Sequence, residues 1–193
     1  MRNLDEDKLQ DLRVKKTIAA IEAAFLQLLR ANDFDKITVS MICREALVNK
    51  GTFYRHFADK YDLADHVKLD KVDQFRATMV DLQHATGDDQ DEAVVARPLE
   101  ATEEDLEDLT RLRWIRSGVN VEVELWKSAY EMLSTMTRWR GKDERDVASM
   151  AWVILYLALG YPEYRRQVSD PLDLYHYFLM ANEASDLYRL GTV

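Results

Sequence analysis

The chain has 193 residues, with 26 Lys and Arg against 35 Asp and Glu, for a net charge of −9. That length allows one large domain or two small ones, and that charge excludes a protein coated in basic residues for indiscriminate nucleic-acid binding. Its single cysteine, Cys43, excludes an internal disulfide framework and suits a reducing cytoplasm, the expected location.

The opening residues MRNLDEDKLQDLRVKK lack the apolar stretch of a secretory signal. The longest charge-free run, Val147 to Pro162, falls short of the roughly 20 residues that span a bilayer. It also contains Ser149 and Tyr156, so it reads as a buried helix and no membrane partner is expected. Charge is unevenly spread. From Arg13 to Lys60 there are nine Lys and Arg and five Asp and Glu, giving +4 and leaving −13 for the remainder. A basic head on an acidic body suits a protein that touches phosphates at one end.

In chain order, residues 1–12 alternate in charge without periodicity and are expected as a loose arm. A first helix is expected from Arg13 to Ala31, because Ile18, Ile21, Phe25, Leu28 and Leu29 recur on one helical face. Arg13, Lys15 and Lys16 fall in its first turn, where the helix dipole disfavours cations. They read either as a solvated face or as neighbours of phosphate. Asn32 to Asp35 breaks the helix, and Thr38 is a good N-cap for a second one with Val39, Ile42, Cys43 and Ala46 inward and Ser40 and Arg44 outward. Leu47-Val48-Asn49 forms a turn, and Asn49 caps a very short third helix backed by Phe53 and Phe57. Asp59, with Asp62 three residues on, opens a fourth helix from Lys60 to about Gln83. Its Asp62, His66 and Asp70 share a four-residue spacing, which suits a solvated face far better than a metal site.

Gly87 to Glu92 is an acidic loop, and the segment to Pro98 is an insertion point. Further helices are expected from Thr102 to about Ser117, from Val119 to Arg140, from Lys142 or Asp143 to Gly160, and from Pro171 to Arg189. Tyr161-Pro162 is expected to end the penultimate one. No strand alternation or hairpin dipeptide occurs, so the fold class is all-α.

The short third helix is too polar for a core element. Lys50, Gly51, Thr52, Tyr54, Arg55 and His56 crowd around its two phenylalanines. A helix-turn-helix inserts such a helix in the major groove and lays the preceding one on the backbone. Lys50 and Thr52 are placed to read bases, and Gly51 lets the backbone approach the duplex. Tyr54, His56, Thr38 and Lys60 can hold phosphates, with Ser40, Arg44 and Arg55 on the same exposed surface. The alternative is a helical hairpin whose phenylalanines are ordinary core and whose cations are merely solvated.

Asn49 to Leu63, NKGTFYRHFADKYDL, resembles the TetR/AcrR family of bacterial transcription regulators at Gly51, Thr52, Phe53, Tyr54, His56, Phe57, Lys60 and Leu63. Ile37-Thr38-Val39 and Ile42-Cys43 match the lead-in. The resemblance covers about residues 13–65. It departs at Leu47, where the family usually has Gly. It implies a three-helix DNA-binding head over residues 13–60 and a helical ligand-sensing and dimerisation body over 61–193. It further implies a homodimeric, ligand-responsive repressor on a palindromic operator, with a small-molecule effector and no cofactor.

Residues Val147 to Tyr161 are apolar on nearly every face, and a second subunit is the expected cover. Trp114, Trp126, Tyr130 and Trp152 are candidates for a ligand pocket, although such aromatics more often fill a core. Trp139 and Tyr156 belong to the same group. The runner-up function is a TetR-like co-regulator that grips another protein. No Gly-rich phosphate loop, Cys-x-x-Cys, His-Glu-x-x-His or nucleophile elbow is present, so no enzyme is expected.

Overall fold

The computed structural model describes residues 4–85, 104–135 and 141–169, and every regular element among them is helical. The chain divides into two compact units. One comprises residues up to Val67 together with Ile115–Gly118, and the other comprises Lys68–Trp114 and the residues from Val119 onward. No helix among the described residues is long and apolar enough to cross a membrane.

The first unit starts with α1, Leu4–Ala31. The helix therefore begins well before the expected Arg13 and takes in most of the stretch expected as an arm. Residues 4–12 hold no Gly or Pro, carry three Leu with one each of Glu, Lys and Gln, which favour helix, and set three Asp near the N-terminus, where the helix dipole favours them. Its buried stripe is Ile21, Ala24, Phe25 and Leu29. A single 3₁₀ turn, Phe34–Lys36, follows, with Ile37 1% exposed behind it. Next come α2, Val39–Glu45, and α3, Lys50–His56. The first turns of α4, Lys60–Ala85, complete this core with Leu63, Ala64 and Val67. Phe25 meets Phe34 edge-on at 6.1 Å, and Phe34 meets Tyr61 at 5.2 Å. Burying a large apolar side chain such as Phe25 contributes roughly 1.5–3 kcal/mol.

The turn between α2 and α3 has the geometry of a Schellman motif. The amide of Val48 donates to Cys43 O at 2.9 Å, and that of Leu47 donates to Arg44 O at 3.3 Å. That motif places Leu47 at φ 56°, in the left-handed region where glycine is at ease. The turn thus keeps the shape a glycine would give it, and Leu47 carries a strain of roughly 1 kcal/mol. Being 92% exposed, its side chain recovers nothing by burial.

The three residues at metal-like spacing diverge. Asp62 Oδ2 accepts from Ala58 N, His66 Nε2 lies 2.8 Å from Glu22 Oε1, and Asp70 accepts from Gln74. No group of three ligand-type residues gathers among the described residues.

The second unit contains the rest of α4, helical residues 104–112 (α5), α6 at Val121–Thr135 and α7 at Glu144–Gln167. α5 buries Leu106, Leu109 and Leu112 completely. Asn120 caps α6 by accepting from Glu122 N and Val123 N, and Asp143 caps α7 by accepting from Arg145 N. α6 packs on α7 through Ala129, Leu133, Val147 and Ala151. Gly141, at φ 78°, supplies the left-handed turn before α7. Pro162 does not end α7 as expected. The helix runs five residues further, with Pro162 inside it. Proline forfeits one helical hydrogen bond, but the turn around it is held by burial of Leu159 and Tyr161. The expected loop from Gly87 to Pro98, the start at Thr102, Trp139 and the last helix from Pro171 lie outside the described residues.

Charge is buried here too. Lys68 is wholly buried and its ammonium donates to Val119 O at 2.9 Å. Lys71 Nζ lies 2.5 Å from Asp105 Oδ1 and 3.3 Å from Asp108 Oδ2, with Asp108 1% exposed. Burial works against the charge on Lys71, but the hydrogen bond and charge of Asp105, with Asp108, outweigh it and hold the pKa above the usual lysine value.

Two outcomes follow. Leu47→Asn relieves the turn, since Asn tolerates a left-handed backbone, and should raise stability by about 0.5–1 kcal/mol in urea unfolding. Leu47→Gly should gain less, because glycine also enlarges the unfolded ensemble. Lys71→Met should cost about 3 kcal/mol at pH 7 by breaking a buried pair. A lysine whose folded pKa is raised stabilises fully below its unfolded value of 10.5 and stops doing so as pH climbs through the folded value. The gap between wild type and Lys71→Met should therefore hold from neutral pH to about 10 and shrink above it.

Candidate nucleic-acid interface

α2 and α3 each have seven residues, too few to persist alone, so their ends and inner faces must hold them. Thr38 is extended, at φ −117° and ψ 153°, and its hydroxyl accepts from Met41 N at 3.2 Å. Asn49 is likewise extended, and its Oδ1 accepts from Thr52 N at 2.7 Å. Inside, Ile42 and Cys43 of α2 and Phe53 of α3 are buried, with Phe57 just past the end of α3. Phe53 and Phe57 lie 5.7 Å apart. Burial pushes the Cys43 thiol pKa up, so this cysteine acts as a small apolar packing group.

With Phe53 turned inward, the helical period of about 3.6 residues sets the rest. Gly51 and Arg55 point away from the core. Lys50 and Tyr54 flank one side, and Thr52 and His56 flank the other. Lys50, Gly51, Tyr54 and Arg55 are exposed, as are Thr38, Ser40 and Arg44 around α2, while Thr52 and His56 are half-buried. Tyr54 keeps 55% of its surface exposed, its ring edge-on to Phe53 at 5.4 Å. A methyl group on Gly51 would stand 3.3 Å from Asn49 Oδ1, tight against the atom that caps α3. Nine of the ten residues expected to meet DNA thus lie on α2, α3 and the cap before α2, seven of them exposed.

Lys60, the tenth, is placed differently. Its ammonium donates to the carbonyls of Phe34 at 3.0 Å, Asp35 at 3.3 Å and Ile37 at 3.0 Å. It also sits 4.4 Å from the centroid of the Phe34 ring and 5.5 Å from that of Tyr61. Where a phosphate contact is expected, the ammonium instead meets a cluster of the chain's own carbonyls. Backbone acceptors carry no sequence signature, so only the contact between α4 and the 3₁₀ turn reveals them.

The candidate pocket residues also part company. Trp126 stacks on Tyr130 at 5.4 Å and meets Trp152 at 6.0 Å, and Trp152 stacks on Tyr156 at 5.8 Å. Trp126 Nε1 donates to Ala148 O, and Tyr130 OH lies 3.3 Å from Glu144 Oε1. Trp126 and Tyr130 pack against the seam between α6 and α7, while Trp152 and Tyr156 continue the stack into solvent, 40% and 59% exposed. Trp114 is 72% exposed, with the Arg113 guanidinium 4.5 Å from its ring centroid.

Residues 21–67 match the family described as bacterial regulatory proteins, tetR family. A stretch of 60 residues, 31% of this chain, is 38% identical to the uncharacterized HTH-type transcriptional regulator YxbF of Bacillus subtilis (strain 168), and it spans only 16% of that relative's length. Two solved structures share the fold over 91% of this chain. The gamma-butyrolactone receptor (ArpA-like protein) is 22% identical, with a TM-score of 0.53 and 98% of its chain covered. The TetR transcriptional regulator from Streptococcus agalactiae 2603V is 19% identical, with a TM-score of 0.54 and 96% of its chain covered. Residues 21–67 thus match the tetR family of bacterial regulatory proteins, and the chain as a whole shares its all-helical fold with the two solved structures.

Proposed function

We propose that this chain is a sequence-specific DNA-binding transcriptional regulator, a ligand-responsive repressor that acts as a homodimer. The observation that carries the reading is the outward face of α3. Lys50, Gly51 and Arg55 stand clear of a core anchored by Phe53, with Thr52 half-buried at their edge, beside Thr38, Ser40 and Arg44, inside the segment that matches the family. Lys50 and Thr52 read base edges, while Thr38, Tyr54 and His56 hold phosphate oxygens and set the register.

Dimerisation is supported by α7. Its inner residues are covered, but Trp152, Val153 and Tyr156 remain 40%, 43% and 59% exposed. Large apolar groups in adjacent helical positions favour a second copy of the same face. Twofold symmetry presents two recognition helices about 34 Å apart to a palindromic operator. A small effector acts by binding unequally to the DNA-bound and released forms. One protein of similar fold is a gamma-butyrolactone receptor, which makes a small-molecule receptor a reasonable class for the body. The head is taken as residues 13–60 and the regulatory body as 61–193.

Selection of bound sites from random duplexes, followed by fluorescence anisotropy, tests the reading. A palindromic site bound with a steep salt dependence is expected. Binding that is absent, or insensitive to salt, overturns it. Gly51→Ala should leave the melting temperature nearly unchanged, since better helix propensity offsets the crowded cap. It should weaken the selected site at least about tenfold, because a side chain then blocks close approach. Trp152→Glu should shift the sedimentation coefficient toward that of a monomer, and an unchanged dimer would exclude this face.

A further inference from the structure

The ammonium of Lys60 has three N–H donors and accepts nothing. Carbonyl oxygens of Phe34, Asp35 and Ile37 stand within 3.3 Å of it, one for each donor. These carbonyls close the 3₁₀ turn, the end of a helical segment where a cation is favoured. The face of Phe34, 4.4 Å away, adds a cation–π contact. A phosphate could take this ammonium only by stripping a carbonyl of its donor.

What the ammonium holds is the lead-in to the interface. The Ile37 carbonyl belongs to the peptide that joins Ile37 to Thr38. Ile37 is pinned by its side chain, 1% exposed, and by its amide, which donates to Phe34 O at 3.0 Å. Lys60 fixes the remaining polar group of that residue. Thr38 comes next and caps α2. At the other end, Lys60 stands on a well-defined turn, because Asp59 Oδ1 accepts from Tyr61 N at 2.7 Å and Asp62 N at 2.9 Å. Asp62 in turn accepts from Ala58 N at 2.8 Å. The first turn of α4 and the start of α2 are therefore joined through one side chain.

We infer that Lys60 is a positioning residue for DNA binding and not a DNA contact. It locks Ile37 and Thr38 to the first turn of α4, and so sets where α2 and the recognition helix after it stand. The inference rests on the DNA-binding reading for its consequence and on the first unit alone for its geometry. An arginine cannot replace this lysine, since a planar guanidinium directs its donors in a fork and not toward three converging acceptors.

The test uses the full chain with Lys60→Met, which keeps the apolar stem, and Lys60→Arg. Without DNA, hydrogen exchange should speed up at the amides of Lys36, Ile37 and Met41 in both variants, and melting should fall by roughly 5 °C. With the selected operator duplex, affinity should drop about tenfold or more in both variants. The slope of log affinity against log salt should stay at the wild-type value, because no phosphate contact is lost. A slope reduced by about 1 in Lys60→Met, or binding restored by Lys60→Arg, marks a phosphate contact and overturns the inference. Wild-type exchange rates in Lys60→Met overturn it too, whatever the DNA result. If the wild-type chain binds no duplex, the functional reading fails, while the exchange measurement still decides whether the clamp exists.

Discussion

The burial of Phe53 is the constraint on which the interface depends. A seven-residue helix makes too few internal hydrogen bonds to offset its own ordering. α3 exists because one ring is wholly removed from water and a second, Phe57, lies against it. Once that ring is inside, helical geometry leaves no freedom about which residues face out. α3 can be this polar only because its stability resides in these two side chains and in Asn49 at its start.

Much of this was legible in the sequence because it is local. Thr38, Asn49 and Asp59 are capping residues at the spacing caps require, and each accepts the expected amide. Phe53 and Phe57 lie one turn apart, and Leu47 stands out as a residue unsuited to its turn. The structure resolves that conflict in favour of the backbone. Two hydrogen bonds hold the Schellman geometry, and the side chain bears the strain.

The less legible features depend on segments far apart in the chain. Lys60 carries a motif position that reads as a phosphate contact, but its acceptors are backbone oxygens more than twenty residues upstream. Pro162 is a reliable helix breaker only where packing is indifferent, and here Leu159 and Tyr161 beside it are buried. The apolar run of α7 reads as covered all round, yet its aromatic stretch keeps Trp152 and Tyr156 in water. The buried pairing of Lys71 with Asp105 and Asp108 leaves no trace in composition, since these residues look like any solvated helix face.

The short segment Ile115–Gly118 belongs to the first unit although it lies far along the chain. Asp65 accepts from Ser117 Oγ at 2.5 Å and from Gly118 N at 2.8 Å. A Cβ at Gly118 would stand 2.9 Å from Asp65 Oδ2, so any larger residue there must push the Asp65 carboxylate aside. The unit that carries the helix-turn-helix is therefore discontinuous, assembled from two separated stretches of polypeptide. During synthesis its first stretch leaves the ribosome some fifty residues before the second, so these two hydrogen bonds can form only once Ser117 and Gly118 have emerged. No fragment can hold it without residues 68–114 as well, and one ending at Val67 would lack the two hydrogen bonds to Asp65.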